Sequence, residues 1–302
     1  MADPMTAVST AEYDAFGPWI DEVASVDEVP RMYRSYPIDF ASARTVLKFP
    51  RDIPRREATA QMDLYDHLLV VTDERLTVLS RAGDRFTEVS VPHDQVAAIT
   101  DWVNLLDARL VIRTLAGDVV SVAYNGSSND TVVKLVDLLR GLANRTVPRR
   151  THPEPAALPP LGLDDLGRKD ALMVTTFREL ARREPGVRLV AAHGRTVLTS
   201  RRGGVARLLD LIVPPTLHAC VLALSDTELQ IISRREWIVR GGAPVVSRAR
   251  TVIALDVLTG ADVADHPRYL GVSVVTLSAG SARVEVLVPS DSPARAALLA
   301  AK

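Results

Sequence analysis

Apolar residues recur along most of this chain at every second position in short runs, and at every third or fourth in a few longer stretches. A period of two marks strands with one buried face, and a period near 3.6 marks amphipathic helices. In the first half short β-branched runs separated by turn residues fall at 45–49, 67–72, 75–80, 86–91, 96–100, 109–114 and 119–124, which predicts seven short strands. The breaks Thr72-Asp73-Glu74-Arg75 and Ala82-Gly83-Asp84-Arg85 predict hairpin turns. Helical stretches are expected at about 10–25 and 170–183, the second with Leu172, Val174, Phe177, Leu180 and Ala181 on one side. After the seventh strand, Ser128 is placed to cap a helix whose broad apolar face carries Val132, Val133, Leu135, Val136, Leu138, Leu139 and Leu142. Such a face must be covered, and the open end of a small barrel would cover it. The second half follows the same order, with strands at 221–224, 228–233, 237–240, 251–258, 271–277 and 283–288 and a closing helix at 293–301.

The two halves also share letters. Residues 68–81 read LLVVTDERLTVLSR and residues 221–234 read VLALSDTELQIISR, matching at Leu69/Leu222, Asp73/Asp226, Leu76/Leu229, Ser80/Ser233 and Arg81/Arg234. Upstream, 44–47 and 195–198 both read RTVL, and 111–117 matches 274–280 more weakly. Three matches in one order, at offsets of 153, 151 and 163, imply a tandem duplication. Between the copies stand Pro148, Pro153, Pro155, Pro159 and Pro160. Proline fixes its own φ and disfavours helix at the residue before it, so a semi-rigid extended linker is expected. The expected organisation is a domain at 1–147, a linker at 148–162 and a domain at 163–302. The expected class is mainly β with capping helices: two antiparallel barrels or sandwiches, each closed by a C-terminal helix.

That plan, with LLVVTDERLTVLSR followed by VPHDQVAAITDW, by DARLVIRTLAGDVVSVAYNGSS and by a Leu/Val-rich helix, resembles bacterial PH-like domains of the pleckstrin-homology superfold. The resemblance covers 42–143 directly and 194–301 through the repeat. It implies a non-catalytic module that binds proteins, lipids or peptides, or that self-assembles. It also implies that the loop after the first strand is where basic residues meet phosphorylated head groups. Neither closing helix carries the tryptophan typical of eukaryotic members, which weakens a lipid reading.

Composition narrows the classes. With 47% hydrophobic and 24% charged residues, the 302-residue chain is neither disordered nor a coiled coil. A net charge of −1 and 5% aromatics leave no basis for a nucleic-acid surface. The most apolar stretch, 208–224, is interrupted by Asp210, Pro214, Pro215 and His218, so no membrane span is expected. The N-terminus has no basic start followed by an apolar run, and Cys220 stands alone, so a cytoplasmic protein is expected. Charge divides unevenly, with 17 basic against 22 acidic residues in 1–150 and 19 against 15 in 151–302.

Candidate chemistry is sparse. The six histidines lack metal-ligand spacing, no Gly-x-Ser-x-Gly elbow or phosphate loop is present, and Cys220 sits in an apolar run where a thiol stays protonated. No enzyme, metal or cofactor is expected. Two basic segments suit anions: Lys48, Arg51, Arg55 and Arg56 in the first copy, and Arg201, Arg202, Gly203 and Gly204 in the second. Trp102, among Val103, Leu105 and Leu106, is either a protein-binding anchor or a core plug. The expected function is a non-enzymatic binding or assembly module whose partner is a protein or a second copy. The alternative is an anionic ligand or phospholipid head group held by the basic loops.

Overall fold

A computed structural model of the chain describes residues 10–144, 160–201, 210, 212–241 and 246–301. It is mainly β, 43% strand and 25% helix, built from several antiparallel sheets and a few helices. Contacts divide it into two compact units: one from Met1–Gln95, Leu106–Arg109 and Val122–Ala143, the other from Val96–Leu105, Leu110–Ser121 and Asn144–Lys302.

The first unit opens with a single helical turn, α1 (Ala11–Ala15), capped by Thr10, whose hydroxyl accepts from Tyr13 N at 3.1 Å. The helix expected over 10–25 stops there, because Pro18 can neither continue the hydrogen-bond ladder nor leave Gly17 helical. The two-residue strand β1 (Asp21–Glu22) and two short 3-10 turns follow. Then β2 (Thr45–Pro50), β3 (Tyr65–Val71), β4 (Arg75–Ala82) and β5 (Arg85–Pro92) form an antiparallel meander in the order β1-β2-β3-β4-β5. The predicted hairpins fall where expected, and Gly83 supplies the left-handed φ of +70° at the second.

Alternation sorts the side chains of this sheet. Leu68 and Val70 face a core with Phe16, Val23, Val29 and Tyr33 from the N-terminal segment, while Leu69 and Val71, on the opposite face, are also fully or nearly fully buried. The irregular segment before β2 therefore serves as the cover of one sheet face. Helix α2 (Asn129–Ala143) buries Val132, Leu135, Val136, Leu139 and Leu142 as its spacing predicts. Ser128 lies in a 3-10 turn before it, and its hydroxyl accepts from Ile20 N at 2.9 Å instead of capping α2.

The largest sheet joins β6 (Val96–Asn104), β7 (Asp107–Thr114) and β8 (Val119–Asn125), the last two only in part within the second unit, to β9 (Arg188–His193), β13 (Cys220–Leu224), β14 (Glu228–Ser233) and β16 (Arg248–Ala254) of that unit. The seven strands run β8-β7-β6-β16-β14-β13-β9, and β6 meets β16 antiparallel from Val103↔Arg248 to Ala98↔Ile253. Strand β13 shows how the sheet is sandwiched. Ala219, Val221 and Ala223 pack under α3 (Leu163–Leu166) and α4 (Ala171–Arg183), against Leu166, Met173 and Phe177. Cys220, Leu222 and Leu224 face the opposite core, which is closed by β17 (Gly260–Asp265), β19 (Val272–Ala279), β20 (Ala282–Pro289) and α5 (Pro293–Ala300). Two small sheets complete the unit, β10 (Thr196–Val197) with β12 (Pro215–Leu217) and β15 (Ile238–Arg240), and β11 (Thr199–Ser200) with β18 (Tyr269–Leu270). Among the described residues every sheet is open and none closes into a barrel.

Two of the sequence matches fare differently. Leu68↔Leu79 in β3–β4 has its counterpart in Val221↔Ile232 in β13–β14, so the hairpins share one register at an offset of 153. RTVL does not. Thr45 pairs with Val71 on β3, but the residue paired with Leu224 on β13 is Arg188 of β9. The second RTVL lies one strand further on, around β10, and its four-letter match has no structural counterpart.

A buried ionic cluster pins the start of α4. Asp170, 0% exposed, accepts from Arg195 Nε at 2.7 Å and from Arg234 Nη2 at 2.8 Å. Arg234, 2% exposed, also donates to Ser247 O and Lys169 O. Burial works to raise the Asp170 carboxyl, but the two guanidiniums outweigh it and hold it below the usual carboxylate range. Removing one member of such a cluster strands the others in a dry site. Asp170→Asn is accordingly expected to lower unfolding stability by about 3–5 kcal/mol, read from urea midpoints at neutral pH, and a loss under about 1 kcal/mol contradicts this account.

Candidate functional site

The basic residues expected to form an anion loop are placed apart. Lys48 lies within β2 rather than after it, and only 9% of it is exposed. Arg51 donates to Asp63 O at 3.0 Å. Arg55 donates to the carbonyls of Tyr13 and Phe16 and stacks 4.1 Å from the Tyr13 ring centroid, which fastens α1 to the turn after β2. Arg56 projects outward beside Glu57. In the second copy Arg201 donates to His266 O, Tyr269 O and the Asp265 carboxylate. Arg202, Gly203 and Gly204 lie outside the described residues. Trp102 is half-buried on β6, with the Arg235 guanidinium 3.9 Å above its ring. Leu105, at the following turn, is 71% exposed and holds a left-handed φ of +58° that leucine rarely adopts.

Lys48 leads instead to a cavity of about 590 Å³ in the first unit. Its walls come from residues 10–34, namely Thr10, Glu12 and Ala15 around α1, Asp21 and Glu22 of β1, and Asp27, Glu28, Arg31 and Arg34 of the turns. Lys48, Ala60, Met62 and Leu64 complete the lining. The lysine is carried there by strand alternation, since it shares the face of Val46, whose neighbours form the N-terminal core. Its ammonium lies 5.2 Å from the Tyr65 ring centroid, makes no hydrogen bond or ion pair among the described residues, and acts on the Asp21 carboxylate across the strand pair only at longer range.

The other polar groups around this space divide into satisfied and unsatisfied sets. Arg31 is engaged by the Asp63 carboxylate at 2.7 Å and by the carbonyls of Ala60 and Gln61, and Arg34 donates to Val29 O at 3.1 Å. Glu12 accepts from Arg31 N through Oε2, but its buried Oε1 has no partner. The Tyr65 hydroxyl is likewise buried and unpartnered, and burial, helped by the charges of Asp21 and Glu12, pushes its phenol up. Burial also raises the Asp21 carboxyl, with Lys48, opposite it in the strand register, acting the other way. Of these groups, sequence reasoning singled out only Lys48. The signal for its burial was available: a lone lysine inside the apolar strand Thr-Val-Leu-Lys-Phe-Pro. Glu12 and Asp21 carry no comparable signal.

In the second unit, His218 is 0% exposed and neither ring nitrogen has a partner. Burial and the nearby Arg195 lower its pKa to about 4, Asp170 opposing and Arg234 assisting. Burial alone pushes the Cys220 thiol up, the condition of an inert thiol. Among the described residues no group of three or more His, Cys, Asp or Glu is placed to hold a metal ion, and no helix is long and apolar enough to cross a membrane.

His218 gives the protein an acid-sensitive element. It is neutral in the fold, while the unfolded chain takes up its proton from about pH 6.5, so stability is full above 6.5 and falls as pH drops towards 4. His67, His193 and His266 are also lowered by burial and act in the same direction. Replacing His218→Leu is expected to flatten the fall in urea midpoint between pH 6.5 and 4, by up to about 3 kcal/mol. An unchanged slope contradicts the assignment.

Compared with known protein families, with curated proteins and with solved structures, the chain finds no match.

Proposed function

We propose that the protein is a non-enzymatic binding module built on a duplicated PH-like plan, and that the cavity beneath its N-terminal segment is where a ligand is held. The carrying observation is Lys48, a residue nine-tenths buried that lines a space of about 590 Å³ and whose ammonium makes no hydrogen bond or ion pair among the described residues. A buried unpaired charge is costly, and a fold that retains one beside a cavity of ligand size gains by offering it to a ligand. The duplicated plan is supported by the shared register of the two hairpins. It is supported again by the order of the longer strands once the short β10, β11, β12, β15 and β18 are set aside: β2 to β5, three strands and α2 in one copy, and β9, β13, β14, β16, three strands and α5 in the other. In thermal-shift screening against polar metabolites, a hit should stabilise the wild type, be lost in Lys48→Met and be recovered with unchanged mass after incubation. A product of altered mass overturns the non-enzymatic reading, and a hit indifferent to Lys48→Met overturns the site.

A second reading, self-association, is favoured by β5. Among the described residues this edge strand of the first unit's sheet pairs only with β4, exposes most of its length and leaves Val89 43% exposed. Open edges are templates for strand addition. Sedimentation velocity across rising protein concentration should then show a dimer that Val89→Lys abolishes, and a monomer throughout removes this reading.

A further inference from the structure

We propose that the cavity of the first unit takes a small cationic amino-acid-type ligand, whose ammonium or guanidinium meets Asp21 and Glu12 and whose carboxylate meets Lys48. The inference deepens the binding function proposed above and rests on it. Five carboxylates (Glu12, Asp21, Glu22, Asp27 and Glu28) line the space against three cations. Two of those cations are already engaged, Arg31 by Asp63 and main-chain carbonyls and Arg34 by Val29 O. The space is therefore acidic on balance, and a purely anionic guest would be repelled.

An acidic lining alone would mean little, since such residues usually face solvent. Here two buried groups lack partners. Lys48 is 9% exposed and its ammonium makes no hydrogen bond or ion pair among the described residues, and the hydroxyl of Tyr65, whose ring lies beneath that ammonium but outside the cavity lining, is buried without a partner. Glu12 Oε1 adds a third unmet demand on the opposite wall. A cation alone would answer the carboxylates and leave Lys48 unpaired. An anion alone would answer Lys48 and meet the acidic wall. A ligand carrying both signs, with net positive charge, answers both Lys48 and the carboxylates of the lining through charge-assisted hydrogen bonds. The volume accommodates a basic amino acid or a short basic peptide.

Isothermal titration of the full chain with L-arginine, argininamide, L-glutamate and inorganic phosphate tests this. Arginine should bind, argininamide should bind about tenfold more weakly for want of the carboxylate, and glutamate and phosphate should not bind. Lys48→Met should bring arginine down to the argininamide level while leaving argininamide unchanged, and Asp21→Asn should weaken both. Should Lys48→Met fail to fold, by its far-UV circular dichroism, the arginine–argininamide difference in the wild type decides. Glutamate or phosphate binding as well as arginine, equal binding of arginine and argininamide, or no heat from arginine at about 10 mM each overturns the ligand class. A metabolite hit that still depends on Lys48 would leave the binding function standing while this inference falls.

Discussion

The pairing of β6 with β16 is the constraint on which the second unit depends. Six residue pairs join strands about 150 positions apart in the chain, and Thr100 and Thr251 share a hydrogen bond of 3.0 Å across the seam. Without it, β6 and β16 would each present an open row of N–H and C=O groups, a template for wrong partners. With it, both become interior strands of a seven-stranded sheet whose β13 is buried on both faces. The cost is kinetic. Contacts this distant in sequence must close a long loop before they contribute stability, so the sheet belongs to the slow-folding class.

Two buried charges show what a low-polarity interior does with an ion. Asp170 is surrounded by donors, and its neighbours compensate for the water it has lost. Lys48 has the face of an aromatic ring, which attracts a cation weakly, and the longer-range attraction of Asp21, but no hydrogen bond or ion pair among the described residues. The first arrangement fixes geometry and is complete. The second is incomplete within the chain, which is why it points towards a ligand when the better-satisfied cluster does not. Arg55 occupies a third category, a cation employed in holding main-chain carbonyls and stacking on the Tyr13 ring.

Much of the fold was legible in the sequence, because alternation and hairpin chemistry are local. The strands β2 to β5 and the helix α2 follow from period and turn residues alone. The N-terminal segment was not legible as a cover, since Pro18 and Pro30 break its periodicity and its burial is decided by β2 and β3. RTVL misled because four letters carry less information than a pairing register. The candidate site was legible in one residue only. Lys48 was noticed as part of a basic loop, whereas strand alternation turns it inward and the neighbouring arginines outward or onto carbonyls. Glu12 and Asp21 reach it through tertiary contact, which no linear spacing encodes.

The cover over the first sheet carries one more consequence. Apart from the short β1–β2 pairing, it is fastened largely by side chains, with Arg31 and Arg55 reaching main-chain carbonyls and Phe16 and Tyr33 filling the core. A layer attached in this way can detach locally at a free energy below that of global unfolding, leaving the β2–β5 meander intact. Amide hydrogens in the segment before β2 would then exchange faster than those of β3 and β4. The same opening would set the rate at which anything enters or leaves the cavity, so residence time there belongs to the cover and affinity to the charges beneath it.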